Sequence, residues 1–160
     1  MKLLRGEPTM IHLKEIDQSN YRACIALQPA ASQKDFVSPN WYSLLESIFE
    51  EQRQAFAIYH EDVMVGFILF SYYTADEEYP KDSWWIERFM IGQDFQQQGF
   101  GRQAMAVAIS WFNEQVQAQE LRISSVFENK IAETLYEKMG FVKTGEQVNG
   151  ETVLLRKFDL

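Results

Sequence analysis

Three long apolar segments follow one another in the middle of the chain, and they limit the possible folds more than any other feature. They cover residues 55–60, 63–73 and 84–91, with short polar connections between them. Segments of this length and composition are typical of buried strands, and the residues Glu61 and Asp62 suffice to join the first two as a hairpin. The pattern therefore predicts a sheet whose central strands are antiparallel.

The segments on either side of these strands predict the rest of the architecture. Helices are expected where apolar residues recur at helical spacing between capping residues, and strands where apolar and polar residues alternate. Together with the central strands they give the order β-α-α-β-β-β-α-β-α-β-β, which predicts a mixed α/β protein with helices on both faces of the sheet. The predicted flanking elements are strands at 11–16, 121–127, 141–148 and 152–158 and helices at 19–27, from Ser38 or Asn40 to about Glu51, 102–117 and 129–140.

The length and composition predict one globular domain. The chain has 160 residues, of which 46% are hydrophobic, and this is enough for a single core. Met10 directly precedes the first strand, so residues 1–9 are interpreted as an N-terminal extension and 10–160 as the domain. We find no signal peptide, no membrane-spanning segment and a single cysteine, Cys24, and we therefore expect a cytoplasmic protein.

The charge of the chain narrows the kinds of partner that we expect. The formal net charge is −8, from 23 acidic and 15 basic residues. Proteins that bind nucleic acid need a basic face, so this balance argues against such a partner. It is compatible with a small cationic substrate, although acidity also serves solubility alone. His12 and His60 are isolated in the sequence, and no metal site is indicated.

A glycine-rich loop, QQQGFGR at residues 96–102, precedes a predicted helix. Free N–H groups at the start of a helix bind anions, and glycines let the backbone approach a ligand closely. An ordinary tight turn between a strand and a helix would also explain the glycines. The pattern Gly99, Gly101, Ala104 fits a dinucleotide fingerprint, but the glycines follow the strand too late for that motif, and a P-loop lysine is lacking.

A second motif identifies the loop more closely. Gln96, Gly99 and Gly101 form the pattern Q-x-x-G-x-G, and one helix and one strand later comes N-x-x-A-x-x-L-Y-x-x-x-G-F, formed by Asn129, Ala132, Leu135, Tyr136, Gly140 and Phe141. With both motifs, the chain resembles the Gcn5-related N-acetyltransferase (GNAT) family over nearly its whole length. The resemblance implies the family's fold, a central mixed, mostly antiparallel sheet of six to seven strands flanked by about four helices. It also implies acetyl-CoA as cosubstrate, and a homodimer, since family members often form dimers.

The resemblance also implies which residues hold the cofactor. The N–H groups of residues 97–102 are expected to hold the pyrophosphate, and the backbone of 89–91 to bond the pantetheine arm and to polarise the thioester oxygen. From the residues alone, Asn129 can equally be a plain helix cap, and Arg102 can equally face solvent. The expected cofactor-binding residues are Phe89, Met90, Ile91, Gln96, Gln97, Gln98, Gly99, Phe100, Gly101, Arg102, Asn129 and Tyr136.

Two residues are expected to carry the chemistry. Glu87 lies where the family has its catalytic glutamate, and a carboxylate there can take a proton from the attacking amine, directly or through water. Tyr136 matches the family's general acid, which protonates the departing thiolate. The alternatives are that Glu87 pairs with Arg88 or solvent and that Tyr136 only packs.

The acceptor is predicted from a closer resemblance to one branch of the family. Residues 36–44, 56–72 and 84–104 look like bacterial spermine/spermidine acetyltransferases, which implies a polyamine acceptor. The alternatives are another small amine, a protein amine, or a non-catalytic acetyl-CoA sensor. Carboxylates and aromatic rings can bind ammonium groups, but they can also simply be solvated or packed. The candidates for acceptor binding are Trp41, Tyr42, Asp76, Glu77, Glu78, Trp84, Trp85 and Glu87.

Overall fold

The computed structural model describes residues 10–36 and 38–159, so the predicted extension at 1–9 lies outside the described residues. The predicted element order is confirmed, with seven strands and four helices in the described chain. The strands are β1 Ile11–Glu15, β2 Arg53–His60, β3 Val63–Tyr73, β4 Ser83–Ile91, β5 Glu120–Ser125, β6 Val142–Val148 and β7 Glu151–Lys157. The helices are α1 Tyr21–Ala26, α2 Asn40–Phe49, α3 Phe100–Trp111 and α4 Lys130–Lys138.

The seven strands form one sheet in the order β1-β2-β3-β4-β5-β7-β6. Every neighbouring pair is antiparallel except β4 and β5, which run parallel. The hairpins follow from the short connections, whereas the parallel pair needs the crossover through α3. The predicted fold class, a mixed and mostly antiparallel sheet flanked by helices, is confirmed.

Helices cover both faces of this sheet. Cys24 of α1 and Leu44 of α2 pack on one face, against Phe67 and Leu69 of β3 and their neighbours. Residues of α3 and α4, Met105 and Tyr136 among them, pack on the other face in the larger apolar cluster. None of the helices in the described ranges combines the length and apolar character needed to cross a bilayer.

Three helix starts differ from the prediction, and the first is that of α1, which begins at Tyr21 rather than at residue 19. Helix α3 begins at Phe100 rather than at residue 102, so its first turn includes the second glycine of the loop. Helix α2 begins at Asn40 with Pro39 at the N-cap position, and no side chain caps it within the described chain. Asn40 does not act as a cap because its side-chain amide donates to the Cys24 carbonyl at 2.9 Å, which ties α2 to α1.

Candidate active site

A cleft of about 650 Å³ opens where β4 and β5 separate. In the described chain the two strands pair at Trp85 with Arg122 and at Ile86 with Ile123. Beyond these pairs the strands diverge. Residues 87–91 of β4 line one side of the opening, and residues 124–126, at the end of β5 and just after it, line the other. The ends of α3 and α4 and the connection between α1 and α2 complete the walls. The cleft is therefore a gap in the sheet that an extended ligand can enter.

The glycine loop forms one end of this cleft. After a short 3₁₀ turn at Gln93–Phe95, the backbone takes positive φ at Gln97 (62°) and at Gly99 (82°), and α3 then begins. The N–H of Gln103 bonds the Gly99 carbonyl at 3.2 Å. The N–H groups of Phe100, Gly101 and Arg102 precede that bond, and none of the described side chains caps this end. The arrangement can bind an anion, with the positive end of the helix dipole behind it.

The two glycines have different reasons to be there. Gly99 needs its positive φ, which L side chains rarely adopt. Gly101 has an ordinary helical conformation, and a Cβ there would meet Ile91 Cγ1 and Leu135 Cδ2 at 3.8 Å, which is normal contact. The packing of the protein would accept a methyl group at residue 101. The absence of that methyl group is explained if a ligand approaches the backbone there.

The glutamines and the arginine of the loop are not equivalent. The Gln96 amide nitrogen donates to the Ile91 carbonyl at 2.9 Å and to Gln33 Oε1 at 2.8 Å, so this side chain holds the loop to the end of β4. Gln97 lines the cleft. The side chains of Gln98 and Arg102 are exposed and do not line it. The predicted cofactor contacts at 96, 98 and 102 therefore depend on the backbone rather than on the side chains.

The end of β4 forms a second wall. Phe89, Met90 and Ile91 pair with β3 on one edge of the strand. The opposite edge faces the cleft, because β5 has already diverged. The predicted place for an extended cofactor arm is thus an unpaired strand edge, where backbone groups are available for hydrogen bonds.

Glu87 is held by an irregularity in β4. Leu69 pairs with Arg88 and Phe70 with Ile86, so Glu87 is left over as a bulge. Its carboxylate accepts hydrogen bonds from Ser71 Oγ at 2.5 Å and from the Tyr73 hydroxyl, and it lies 3.7 Å from Arg53 Nε. The carboxylate is therefore oriented by hydroxyl groups of β3, and it also lines the cleft.

A hydrogen bond from Tyr73 holds the Glu87 carboxylate as an acceptor. Burial and the hydrogen bond to Glu87 raise the pKa of Tyr73, so the tyrosine keeps its proton and Glu87 remains the acceptor. The alternative of a pair with the Arg88 side chain is not observed, because Arg88 donates to the Glu87 backbone carbonyl at 2.8 Å and approaches Glu46 at 3.8 Å. The Arg88 side chain therefore does not bind the Glu87 carboxylate, which lines the cleft.

Tyr136 lines the same cleft from α4. Its side chain is 7% exposed and packs edge-on against Phe141. Burial, and then the nearby charge of Glu151, raise the pKa of Tyr136. Its hydroxyl forms no hydrogen bond with any residue that the structure describes. The site thus contains a phenol that stays protonated and whose proton is not engaged elsewhere.

Asn129 begins α4 at the edge of the cleft. Its side-chain oxygen accepts the Ala132 N–H at 3.3 Å, so the helix-cap reading is confirmed. The amide nitrogen of the same side chain remains available, and the residue lines the cleft. The predicted contact with the cofactor uses a different group and stays a prediction.

Several predicted acceptor residues lie away from the cleft. Asp76, Glu77 and Glu78 belong to the connection before β4, at the opposite end of that strand from the glycine loop. Asp76 accepts the backbone N–H groups of Glu78 and Tyr79, so its carboxylate stabilises its own turn. None of the three acids lines the cleft.

The predicted aromatic residues also have other places. Trp84 packs against Phe112 and the core, and Trp85 is buried and donates to Ser83 Oγ at 2.7 Å. Trp41 and Tyr42 are half exposed on α2, where Trp41 lines a separate groove beside β2. The structure therefore does not bring these four residues to the cleft. Trp84 and Trp85 occupy packing positions of β4, and Trp41 and Tyr42 lie on α2.

Other polar residues of the cleft did not stand out in the sequence. They are Asp35, Arg88, Ser124, Ser125 and Glu151. Glu151 directly follows a hairpin turn and Asp35 lies in a connection, which are ordinary places for acids. Their common location depends on the pairing of β7 with β5 and on the position of the α1–α2 connection, for which the sequence carries no local signal.

Comparisons with known proteins agree with this geometry. Residues 13–141 match the model of the acetyltransferase (GNAT) family. The spermine/spermidine N(1)-acetyltransferase of Bacillus subtilis (strain 168) is 26% identical over 150 residues, which are 92% of this chain and 98% of that protein.

Solved structures share the fold at lower identity. The spermidine N-acetyltransferase from Vibrio cholerae in complex with CoA and spermine has a TM-score of 0.65 and 17% identity, and the match covers 91% of this chain and 92% of that one. A putative phosphinothricin N-acetyltransferase has a TM-score of 0.71 and 17% identity, with 94% and 100% covered. The two have differently named acceptors, so this fold by itself does not identify the acceptor.

Proposed function

This chain belongs to the acetyltransferase (GNAT) family, and we propose that it transfers the acetyl group of acetyl-CoA to a primary amine of a polyamine such as spermidine or spermine. The transfer of acetyl from acetyl-CoA follows from the family. The polyamine acceptor is the proposed part. The observation that carries it is that the cleft with a helix N-terminus, an unpaired strand edge and a protonated phenol is also lined by the carboxylates of Asp35, Glu87 and Glu151.

The residues present fit acetyl-CoA. The N–H groups of Phe100, Gly101 and Arg102 would hold the pyrophosphate, and the free space at Gly101 fits a close approach of phosphate to the backbone. The unpaired edge at 89–91 would bond the amide groups of the pantetheine arm. Acetyl-CoA supplies a thioester whose carbonyl carbon accepts a nucleophile.

Glu87 and Tyr136 would divide the proton transfers between them. The amine nitrogen forms a bond to the acetyl carbon, and the bond from that carbon to sulfur breaks. The amine has a pKa near 10, so it enters as an ammonium group with three protons at neutral pH. The amide nitrogen of the product keeps one of them, so two protons must leave. One proton leaves through Glu87, directly or through water, to solvent, and the other replaces the proton that Tyr136 gives to the sulfur.

The polyamine acceptor rests on charge and on similarity. The carboxylates of Asp35, Glu87 and Glu151 line the cleft, and the net charge of −8 attracts cations over longer distances. The Bacillus relative with 26% identity is named for spermine and spermidine. The alternatives are another amine acceptor or a sensor without activity. A sensor would need the glycine loop but not both Glu87 and Tyr136.

Thiol release from acetyl-CoA with a panel of amines tests this proposal. We expect turnover with spermidine and spermine and none with free amino acids. Turnover with amino acids but not with polyamines would contradict the acceptor and keep the chemistry. Binding of acetyl-CoA without turnover on any amine would support the sensor.

Two further proposals concern the assembly of the protein, which rests on the family resemblance, and its compartment and partners, which rest on composition. We propose that the protein acts as a homodimer, which sedimentation equilibrium tests directly, since a monomer at micromolar concentration would contradict it. We also propose that it works in the cytoplasm on small molecules and not on nucleic acid, in agreement with its acidic composition.

Replacing Gly101 by alanine should change stability and acetyl-CoA affinity in opposite directions. The substitution should raise the free energy of unfolding by about 0.5–1 kcal/mol, because glycine inside a helix is unfavourable and the space is free. It should weaken acetyl-CoA binding about tenfold or more, equivalent to about 1.4 kcal/mol, because the methyl group keeps the phosphate from the backbone. Calorimetry and thermal unfolding measure the two effects.

Ser110→Ala is the matched control for Gly101→Ala. It places alanine on the exposed side of the same helix, away from the cleft, and should leave affinity unchanged. Unchanged affinity in Gly101→Ala as well would show that nothing approaches the backbone at residue 101.

A further inference from the structure

Glu151 and Glu87 lie on the same face of the sheet, on opposite sides of the cleft. Trp85 of β4 and Val153 of β7 pack together with Tyr79 on one face. Glu151 is two residues from Val153 and points to that face by the alternation of strands. Ser71, which pairs with Trp85, donates to Glu87, so Glu87 is on this face too. The opening between β4 and β5 thus has a carboxylate on each wall.

Glu151 has few hydrogen-bond and ion-pair partners among the described residues. Its side chain is half-buried in the wall of the cleft, and its one hydrogen bond in the described chain is a weak one of 3.5 Å from Ser124 Oγ. No lysine, arginine or histidine nitrogen of the described residues lies within ion-pair distance of it. A half-buried carboxylate with so few partners is suited to receive a cation from outside.

A second polar group of the cleft is Ser125, which pairs with Thr152 and therefore points to the opposite face of the sheet from Glu151. Ser125 is 4% exposed and lines the cleft, yet its hydroxyl has no hydrogen-bond partner in the described chain. Buried hydroxyl groups are normally satisfied, so an unpaired one in a cleft can receive a polar ligand or a water molecule. This observation is independent of the charge of Glu151.

We propose that Glu151 binds a second ammonium group of the acceptor while the first is held near Glu87 for attack. This inference rests on the proposed function, since a monoamine has no second ammonium. It makes Glu151 the residue that favours diamines and polyamines over monoamines, through a charge-assisted hydrogen bond. Asp76, Glu77 and Glu78, the acids predicted for this role, lie away from the cleft.

The electrostatics agree with this role. The charge of Glu151 is one of the two causes that raise the pKa of Tyr136. An ammonium group bound to Glu151 neutralises that charge, which lowers the pKa of Tyr136 and makes its proton easier to transfer. The Glu151→Gln variant lacks the same charge, so its Tyr136 should be as acidic as that of the wild-type complex, and kcat should be kept.

Steady-state kinetics of Glu151→Gln test the inference. The KM for spermidine should rise about tenfold or more, because a charge-assisted hydrogen bond is replaced by a neutral one of the same shape. The values of kcat and of the KM for acetyl-CoA should stay within about twofold of wild type. Glu128→Gln is the matched control, because Glu128 is exposed, lies near the cleft but does not line it, and carries the same charge.

Three outcomes would overturn the inference. They are an unchanged KM for spermidine in Glu151→Gln, an equal rise in Glu128→Gln, and a fall in kcat at constant KM. Should Glu151→Gln not fold, Glu151→Asp withdraws the charge by one methylene, and its KM should rise a fewfold with kcat kept. An unchanged KM there is then decisive against the inference.

The experiment distinguishes a failure of this inference from a failure of the proposed function. If the wild type acetylates spermidine and the Glu151 variants keep its KM, the inference fails alone. If the wild type acetylates monoamines or amino acids but no polyamine, the proposed acceptor fails and the inference fails with it.

Discussion

Replacing Tyr136 by phenylalanine should lower kcat by about 100-fold or more, the usual size of a general-acid contribution. The reason is that the phenol is the protonated group of the cleft whose proton is not used elsewhere, and burial and Glu151 keep it protonated. The KM for acetyl-CoA should change little, since the ring and its packing against Phe141 remain. Stopped-flow or steady-state thiol release measures kcat, and calorimetry measures cofactor affinity.

The same substitution should leave stability unchanged. The Tyr136 hydroxyl forms no hydrogen bond among the described residues, so its removal leaves no group unsatisfied. Tyr59→Phe is the matched control, because Tyr59 is equally buried but lies in the other apolar cluster, and its hydroxyl accepts from Asn20. That variant should lose a little stability and keep kcat. A Tyr136→Phe enzyme with wild-type kcat would show that Tyr136 only packs.

Replacing Gly99 by aspartate should weaken acetyl-CoA binding by about 100-fold or more, since like charges placed together in an interface cost several kcal/mol. The carboxylate would stand at the N-terminus of α3, next to the N–H groups expected to hold the pyrophosphate. Isothermal titration calorimetry measures the loss. Normal affinity would contradict the assignment of the loop.

Gly99→Asn separates charge from backbone strain in this test. The φ of 82° at Gly99 disfavours most side chains, but aspartate and asparagine both tolerate that region better than other residues. The two variants should therefore unfold at similar temperatures. The asparagine variant should keep affinity within about tenfold of wild type, because it lacks the charge that repels phosphate. Equal losses in both variants would assign the effect to the backbone.

The order of elements and the cofactor loop could be predicted from the sequence because both have local signals. Apolar runs and hairpin turns indicated the strands, and Gln96, Gly99 and Gly101 lie close together in the chain. The start of α3 was placed two residues late, because glycine is a poor helix former and the ligand-facing role of Gly101 has no signature in propensity.

The acceptor side of the site was predicted less well, for reasons of register. Glu87 was placed correctly on β4. Its hydrogen bonds with Ser71 and Tyr73 form because of a bulge in β4, for which the sequence has no recognisable pattern. Glu151 reaches the cleft because β7 pairs with β5, a contact made by residues about 30 positions apart. Asp76, Glu77 and Glu78 were predicted from their charge and their position between two strands, but Asp76 caps its own turn and none of the three lines the cleft.

The short pairing of β4 with β5 affects how the protein unfolds. In the absence of ligand, strands β1–β4 and strands β5–β7 are connected through the sheet at two residue pairs. A ligand that occupies the opening contacts both groups of strands and binds the native state alone, so it adds about 2.7 kcal/mol of stability at a concentration of 100 times its Kd. Backbone amides along the opening should then exchange with deuterium more slowly, as the two groups of strands come to unfold as one cooperative unit.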